Sequence, residues 1–211
     1  MQVAAADSIV SVATSCAASP SGWGAFAGFL GGAAIAVAAE PIRQRLFAPT
    51  LGLYYEDNSD HLASTPAYVA QHEVQALYVR AKVVNHSLLL AKRCRVFLVN
   101  IERQDSTGEF SRTLYCDSIQ LAWAVREGQQ YEALDVPHSV PFFVDIFSTL
   151  EGAPGIQPHV RSLPLRYVSL FSAPSTLRLS LRVAGDGAKA AELKLVVEWK
   201  GTWNSIAIRA A

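Results

Sequence analysis

The chain has 211 residues, enough for one domain with a sizeable core and an additional segment. Its 18 Lys and Arg balance its 18 Asp and Glu, but no basic residue precedes Arg43. From Arg43 onward, 18 basic and 16 acidic side chains leave a net charge of +2, too small for a nucleic-acid-binding surface. Three cysteines, Cys16, Cys94 and Cys116, form neither a disulfide framework nor a C-x-x-C zinc pair. We therefore expect Cys94 and Cys116 to be two buried thiols in a reducing compartment, with proximity of the two in the folded chain as the alternative. We predict no cofactor and no metal.

The first strong pattern along the chain is the stretch from Trp23 to Ala39, seventeen residues without a charge. As a helix it spans roughly 26 Å, close to a hydrocarbon core of about 30 Å. Trp23 suits one membrane interface, and Arg43 and Arg45 suit the other. A soluble helix of this length would show a polar face. The sequence therefore predicts a short extracytoplasmic segment over residues 1–19 and a transmembrane helix with a juxtamembrane turn over residues 20–47.

Two alternatives to a retained anchor stay open. The Ala-rich stretch from Ala36 to Ala38 is typical of a cleavage site, which would make the segment an export signal. The segment also fits a buried helix of a soluble protein. A retained anchor is favoured because no basic residue precedes the apolar run. The arginines that follow the run predict a bacterial inner-membrane protein with its N-terminus outside and its C-terminal domain in the cytoplasm.

Small residues recur at every fourth position inside the apolar run. This spacing places them on one helix face, where a second helix can approach closely. We therefore predict a homo-oligomer that forms through the transmembrane helix, with generic tolerance of small residues in a membrane helix as the alternative. The residues of this face are Gly24, Gly28, Gly32 and Ala36.

After Pro49 the apolar residues alternate with a period of two, which is typical of half-buried strands. The clearest alternation covers 175–185, and Asp186-Gly187 predicts a hairpin to the next strand at 191–201. Seven to nine such strands predict an antiparallel β-sandwich over residues 50–203 and a C-terminal tail over 204–211. Further strands are predicted at 77–86, 94–103 and 139–147, with weaker ones at 51–56, 110–115, 121–125, 132–136 and 163–170.

Two stretches of the predicted sandwich carry a resemblance, AKVVNHSLLLAKRCRVFLVNIE at 81–102 and EWKGTW at 198–203. Together with the apolar segment they resemble a group of uncharacterised bacterial single-pass membrane proteins over roughly residues 20–203. The resemblance implies an immunoglobulin- or fibronectin-like sandwich and implies no activity. From its own chemistry, we expect Asn85 to support a turn and the tryptophans to bury apolar area. The residues that carry the resemblance are Asn85, Ala91, Cys94, Trp199, Gly201 and Trp203.

The chain offers few groups for catalysis. Its five histidines are widely spaced, and we expect each on the surface. The acidic stretch containing Asp57 and Asp60 lacks the rest of a calcium-binding loop and predicts a polar turn. A site assembled from loose parts is the remaining catalytic hypothesis, with Asp145 and His138 as its test positions. The other residues considered for it are Asp135, Ser87 and Cys116.

These patterns favour a membrane-anchored, non-enzymatic interaction or scaffold module, with the lipid bilayer and an unidentified protein as partners. Strand addition at an exposed sheet edge is the expected mode of binding. The alternatives are an oligomerising membrane component of a stress or defence response and an enzyme whose site is assembled from loops.

Overall fold

The computed structural model describes residues 48–69, 71–124, 126 and 128–211. Within them the chain is mainly β, and its strands form two antiparallel sheets. The strands are β1 (Leu51–Tyr54), β2 (Leu62–Val69), β3 (His72–Asn85), β4 (Ala91–Gln104), β5 (Phe110–Arg112), β6 (Ile119–Gln120), β7 (Ala122–Trp123), β8 (Leu134–Val136), β9 (Phe142–Leu150), β10 (Ile156–Pro158), β11 (Ser175–Asp186), β12 (Ala191–Trp199) and β13 (Ile206–Ala210). One helix, α1 (Leu165–Phe171), lies between β10 and β11.

The first sheet has the order β1-β3-β9-β10, with β2 also paired to β3 and β7 also paired to β9. The second sheet has the order β13-β12-β11-β4-β5, with β6 and β8 also paired to β4. Pro141 lies directly before β9, which begins at Phe142 and pairs on both sides, so this proline stands where a strand starts and no ladder hydrogen bond is lost.

The core lies between the two sheets. Along β11 the alternation predicted from the sequence is confirmed, because Leu177, Leu179 and Leu181 are at most 2 % exposed. The β11–β12 hairpin is also confirmed, and Gly187 in its loop has a φ of +61°, which glycine adopts without strain. Trp199 at the end of β12 is buried, as expected for a residue that closes the sandwich.

Two of the predicted segments have a different structure from the one expected. Residues 163–170 were predicted as a strand, but Leu165–Phe171 forms α1. The helix is favoured because Tyr167, Leu170 and Phe171 lie at helical spacing and are all buried on one face. Residues 204–211 were predicted as a tail, but Ile206–Ala210 pairs with β12 along its whole length, and Ile206 and Ile208 pack against the core.

Candidate functional sites

One end of the sandwich exposes an unusual run of apolar side chains. In the β3–β4 loop Leu88 is 86 % exposed, Leu89 49 % and Leu90 43 %. Val140 in the neighbouring β8–β9 loop is 43 % exposed. We call the end formed by residues 86–90 and 137–141 the leucine end. Consecutive exposed apolar residues are uncommon on a soluble surface and mark an interaction site when they occur.

A buried amide holds the leucine end in place. Asn85 is fully buried, and its Nδ2 donates to the carbonyl oxygens of Leu89 (2.7 Å) and Val136 (3.0 Å). Its Oδ1 accepts a hydrogen bond from the backbone N–H of Ser87 (3.0 Å). The turn expected at Asn85 is therefore confirmed, and the side chain that forms it also joins the two loops. The sequence indicated the turn but not the buried network.

His138 adds a second link between the same loops. Its Nδ1 donates to the carbonyl oxygen of Ser87 (3.1 Å), and its Nε2 lies 3.0 Å from the hydroxyl of Ser139. The backbone N–H of Ser139 in turn donates to the carbonyl of Asn85 (2.9 Å). His138 and Ser87, considered for a catalytic site, thus meet only through a backbone carbonyl in this loop pair. These hydrogen bonds hold the two loops in a defined conformation beneath the exposed leucines.

The chain enters the described fold at the leucine end. The backbone N–H of His86 donates to the carbonyl of Thr50 (2.9 Å), and Leu51 bonds to Lys189 in the β11–β12 loop (3.2 Å). Around this end lie three exposed cations and two exposed carboxylates, a formal balance of +1 with the histidines neutral. Those charged residues are Lys92, Arg93, Lys189, Asp135 and Asp186, of which Arg93 and Asp186 form an ion pair.

The outer face of the first sheet carries a cluster of polar side chains. Arg80 Nε lies 2.8 Å from Asp145 Oδ1, and His159 Nε2 lies 3.0 Å from Ser148 Oγ. The ring of Tyr78 packs against His159 at 5.4 Å between centroids. Burial lowers the pKa of His159, Asp145 opposes that effect, and Arg80 adds to it. The net effect is a pKa of His159 below its ordinary value, which favours the neutral imidazole.

This cluster contains a serine, a histidine and a carboxylate, the groups used in nucleophilic catalysis. A triad requires the carboxylate to orient the histidine and the serine to reach substrate. Here Asp145 pairs with Arg80, and Ser148 is 2 % exposed. The contacts fit a structural role, in which the side chains join β3, β9 and the residue after β10.

Two histidines expected on the surface are buried or half-buried. His61 is 1 % exposed and lies between the rings of Tyr55 and Phe143. Its Nδ1 donates to the carbonyl of Arg80 (3.0 Å). Burial, with a smaller effect from Asp57, raises the pKa of Tyr55 to about 12. The prediction failed because the carbonyl of His61 accepts a hydrogen bond from the backbone N–H of Arg80 (2.8 Å) and so continues the pairing of β2 with β3, and the neighbouring aromatic rings enclose the imidazole.

The acidic stretch beside His61 forms the polar turn that was predicted. The backbone N–H groups of Asp60 and His61 both donate to Asn58 Oδ1, at 3.0 and 3.3 Å. Across residues 48–211, apart from 70, 125 and 127, no group of three His, Cys, Asp or Glu side chains is placed to hold a metal ion.

The cysteines differ from the expectation of two buried thiols. Cys94 is buried beside the leucine end, and burial, with a smaller effect from Asp135, raises its pKa to about 11. Cys116 is exposed, and its Sγ lies 3.5 Å from the hydroxyl of Tyr167. Asp117 accepts a hydrogen bond from the same hydroxyl at 2.7 Å. Both thiols are free.

The second sheet ends in β13, whose outer edge has no partner strand among the described residues. Lys200 bonds to Ser205 and Ala211 bonds to Lys194 at the two ends of the β12–β13 ladder. Because such bonds alternate in an antiparallel pair, the backbone groups of Ile206, Ile208 and Ala210 point away from β12. A depression of about 130 Å³ adjoins this edge, and its lining includes Val196, Glu198, Ala207 and Arg209.

The predicted membrane residues lie outside the described part of the chain. They are the helix-packing candidates Gly24, Gly28, Gly32 and Ala36 and the topology anchors Trp23, Arg43 and Arg45. The segments predicted over 1–19 and 20–47 lie there too, as does Cys16. In the part that the structure describes, no helix is long and apolar enough to cross a membrane.

No protein-family model matches the chain, and no curated protein is significantly similar to it.

Proposed function

We propose that this chain is a membrane-anchored, non-enzymatic interaction module that binds a protein partner by strand addition at β13. The observation that carries the proposal is the unpaired edge of β13, where Ile206, Ile208 and Ala210 direct backbone donors and acceptors outward. An extended segment of a partner satisfies these groups by adding a strand to the second sheet. The adjoining depression receives side chains of that segment.

The other long edge is less suited to strand addition. β2 contains Pro66, which has no backbone N–H, and proline on an edge strand opposes further pairing. β13 contains no proline and carries a single charged residue, Arg209. This contrast favours the second sheet as the binding side.

The immunoglobulin-like type of the sandwich is part of the proposal. The orders β1-β3-β9 and β4-β11-β12 match the A-B-E and C-F-G arrangement of immunoglobulin sheets. Under this interpretation β13 is an additional strand beside G. Domains of this type bind other proteins through their loops and sheet edges, although fold alone assigns no function.

The membrane anchor rests on the uncharged stretch from Trp23 to Ala39 and on Arg43 and Arg45. It places the sandwich in the cytoplasm, attached to the inner membrane. A reporter fused after Ala211 is then active only in the cytoplasm. A reporter that works only on the outer side would contradict this orientation.

The binding mode is tested by removing one outward N–H. In Ala210→Pro the lost donor faces away from β12, so the ladder to β12 keeps its bonds. The full-length protein, tagged on its N-terminal side and extracted from membranes in mild detergent, is compared with this variant by quantitative mass spectrometry. Ala210→Val, which keeps the N–H, is the matched control.

We expect a protein that co-purifies with the wild type and with Ala210→Val and is lost from Ala210→Pro. Equal recovery of every co-purifying protein in all three samples would contradict strand addition at β13. Turnover of a small molecule by the purified protein that disappears on changing Asp145 would favour the enzymatic alternative instead.

A further inference from the structure

We propose that the leucine end inserts into the surface of the lipid bilayer beside the anchor and so fixes the orientation of the sandwich on the membrane. This inference rests on the proposed membrane anchoring and goes beyond it, because it assigns a second lipid contact within the folded domain. The inserting side chains are Leu88, Leu89, Leu90 and Val140.

The exposure of these side chains is the first step. Leu88 is 86 % exposed, and the two leucines that follow it are 43–49 % exposed, so the loop tip contributes little to the core. The bonds of Asn85 and His138 hold this tip in a defined conformation. A rigid apolar tip enters a lipid interface at a lower entropic cost than a flexible loop does.

The position at which the chain enters the sandwich favours the lipid bilayer as the binding partner of the leucine end. His86, which begins the leucine loop, bonds to Thr50 at the start of the sandwich. Ten residues separate Ala39, the end of the predicted span, from Thr50. Fully extended, that connection reaches about 37 Å, and a helical continuation makes it shorter. The tether therefore keeps the leucine end at a high effective concentration near the lipid.

The charges around the tip indicate the kind of lipid contact. Three cations and two carboxylates lie on the strand ends and the hairpin loop that adjoin the leucine loop, and Arg93 is paired with Asp186. Surface attraction to anionic lipid needs clusters of several unpaired basic residues. Insertion at the leucine end is therefore apolar, and we expect less than a twofold dependence on the anionic lipid content.

The experiment uses the full chain in nanodiscs of phosphatidylcholine. A spin label is attached at residue 88 in a Leu88→Cys variant that also carries Cys16→Ser and Cys116→Ser. Accessibility to oxygen, which concentrates in lipid, is compared with accessibility to a water-soluble nickel chelate. Leu165→Cys is the matched control, since Leu165 is 90 % exposed on α1. A second set of discs contains 30 % phosphatidylserine, roughly the composition of an anionic leaflet.

We expect the label at residue 88 to show at least a fivefold higher ratio of oxygen to nickel accessibility than the label at 165. Equal, water-like ratios in a protein that remains in the discs would overturn the lipid contact and leave the anchor intact. Failure of the protein to enter the discs would instead overturn the anchor and the inference with it. Protection at residue 88 in native membranes but not in lipid discs would assign a protein occupant and also overturn the proposal.

Discussion

The two ends of the sandwich place their polar and apolar groups in opposite ways. At the leucine end, the amide of Asn85 is buried and consecutive leucines are exposed. At the opposite end, α1 buries Tyr167, Leu170 and Phe171, and the carbonyl of Leu170 accepts a hydrogen bond from Arg103 near the end of β4 (3.3 Å). Arg166 Nη2 lies 2.5 Å from Asp117 Oδ2, and this ion pair lies beside the buried Tyr167.

This difference assigns separate roles to the two ends: the helix end stabilises the fold, and the leucine end holds apolar side chains exposed. The helix end closes the core by removing large apolar surfaces from water, which is the main source of folding free energy. The leucine end uses a buried polar residue to hold apolar side chains in water, an arrangement that adds little hydrophobic stabilisation. A surface maintained against the usual driving force indicates a role outside folding.

The largest expected effect is at the helix end. Phe171→Ala removes a side chain that is 4 % exposed and leaves a cavity under α1. We expect the free energy of unfolding to fall by about 3–4 kcal/mol, measured by urea denaturation. Leu165→Ala, on the exposed face of the same helix, is expected to change it by less than about 0.5 kcal/mol. Similar losses for the two variants would show that α1 does not close the core.

The next effect concerns the buried amide at the leucine end. Asn85→Ala removes the donors to Leu89 and Val136 and the acceptor for Ser87. We expect a loss of about 3 kcal/mol, because buried backbone groups are left without partners. Ser87→Ala, which removes only an exposed bond to Leu89, is the control and should cost less than about 0.5 kcal/mol. A loss below 1 kcal/mol for Asn85→Ala would contradict the role assigned to the amide.

The reactivities of Cys94, beside the leucine end, and Cys116, beside α1, provide a chemical comparison of the two ends. Burial raises the pKa of Cys94 to about 11 from its ordinary value of 9.0, so its thiolate fraction at pH 8 falls about a hundredfold. Because Cys94 is also enclosed and Cys116 is exposed, we expect iodoacetamide to alkylate Cys116 at least about a hundredfold faster. Mass spectrometry of the folded protein over time measures both rates. Comparable rates would show that the leucine end opens readily.

The smallest expected effect is on the leucines themselves. Leu88→Ser replaces a side chain that is 86 % exposed, and we expect the free energy of unfolding to change by less than about 0.5 kcal/mol. Denaturation of the variant beside the wild type under identical conditions measures the difference. A loss above 1.5 kcal/mol would mean that the loop supports the core, and the contrast between the two ends would fail.

Much of the sandwich was predictable because burial on one face of a strand forces a period of two. The alternation around Leu179 identified β11, and Asp186-Gly187 identified the hairpin that follows it. The predicted strands missed β2, since its polar and small residues, with Pro66 among them, give no alternating apolar pattern. They also missed β13, whose five residues pair with β12 through the backbone.

The candidate sites were less predictable, because they depend on which residues meet across loops. Three consecutive leucines were visible at 88–90, but their exposure depends on where β3 and β4, which belong to different sheets, place the loop that joins them. His61 is buried because the rings of Tyr55 and Phe143, from two other segments of the chain, pack against it. The ion pair of Arg80 with Asp145 joins two strands through residues 65 positions apart.

The sequence by itself determined that the chain after Pro49 is mainly antiparallel strands, since the apolar period and the turn residues are local properties. Tertiary structure alone decided that Asn85 is a buried brace, that Cys116 is exposed and that β13 ends a sheet. The physical reason is that burial and edge position are properties of the assembled sheets. They arise from contacts between segments far apart in the chain, which a local pattern does not encode.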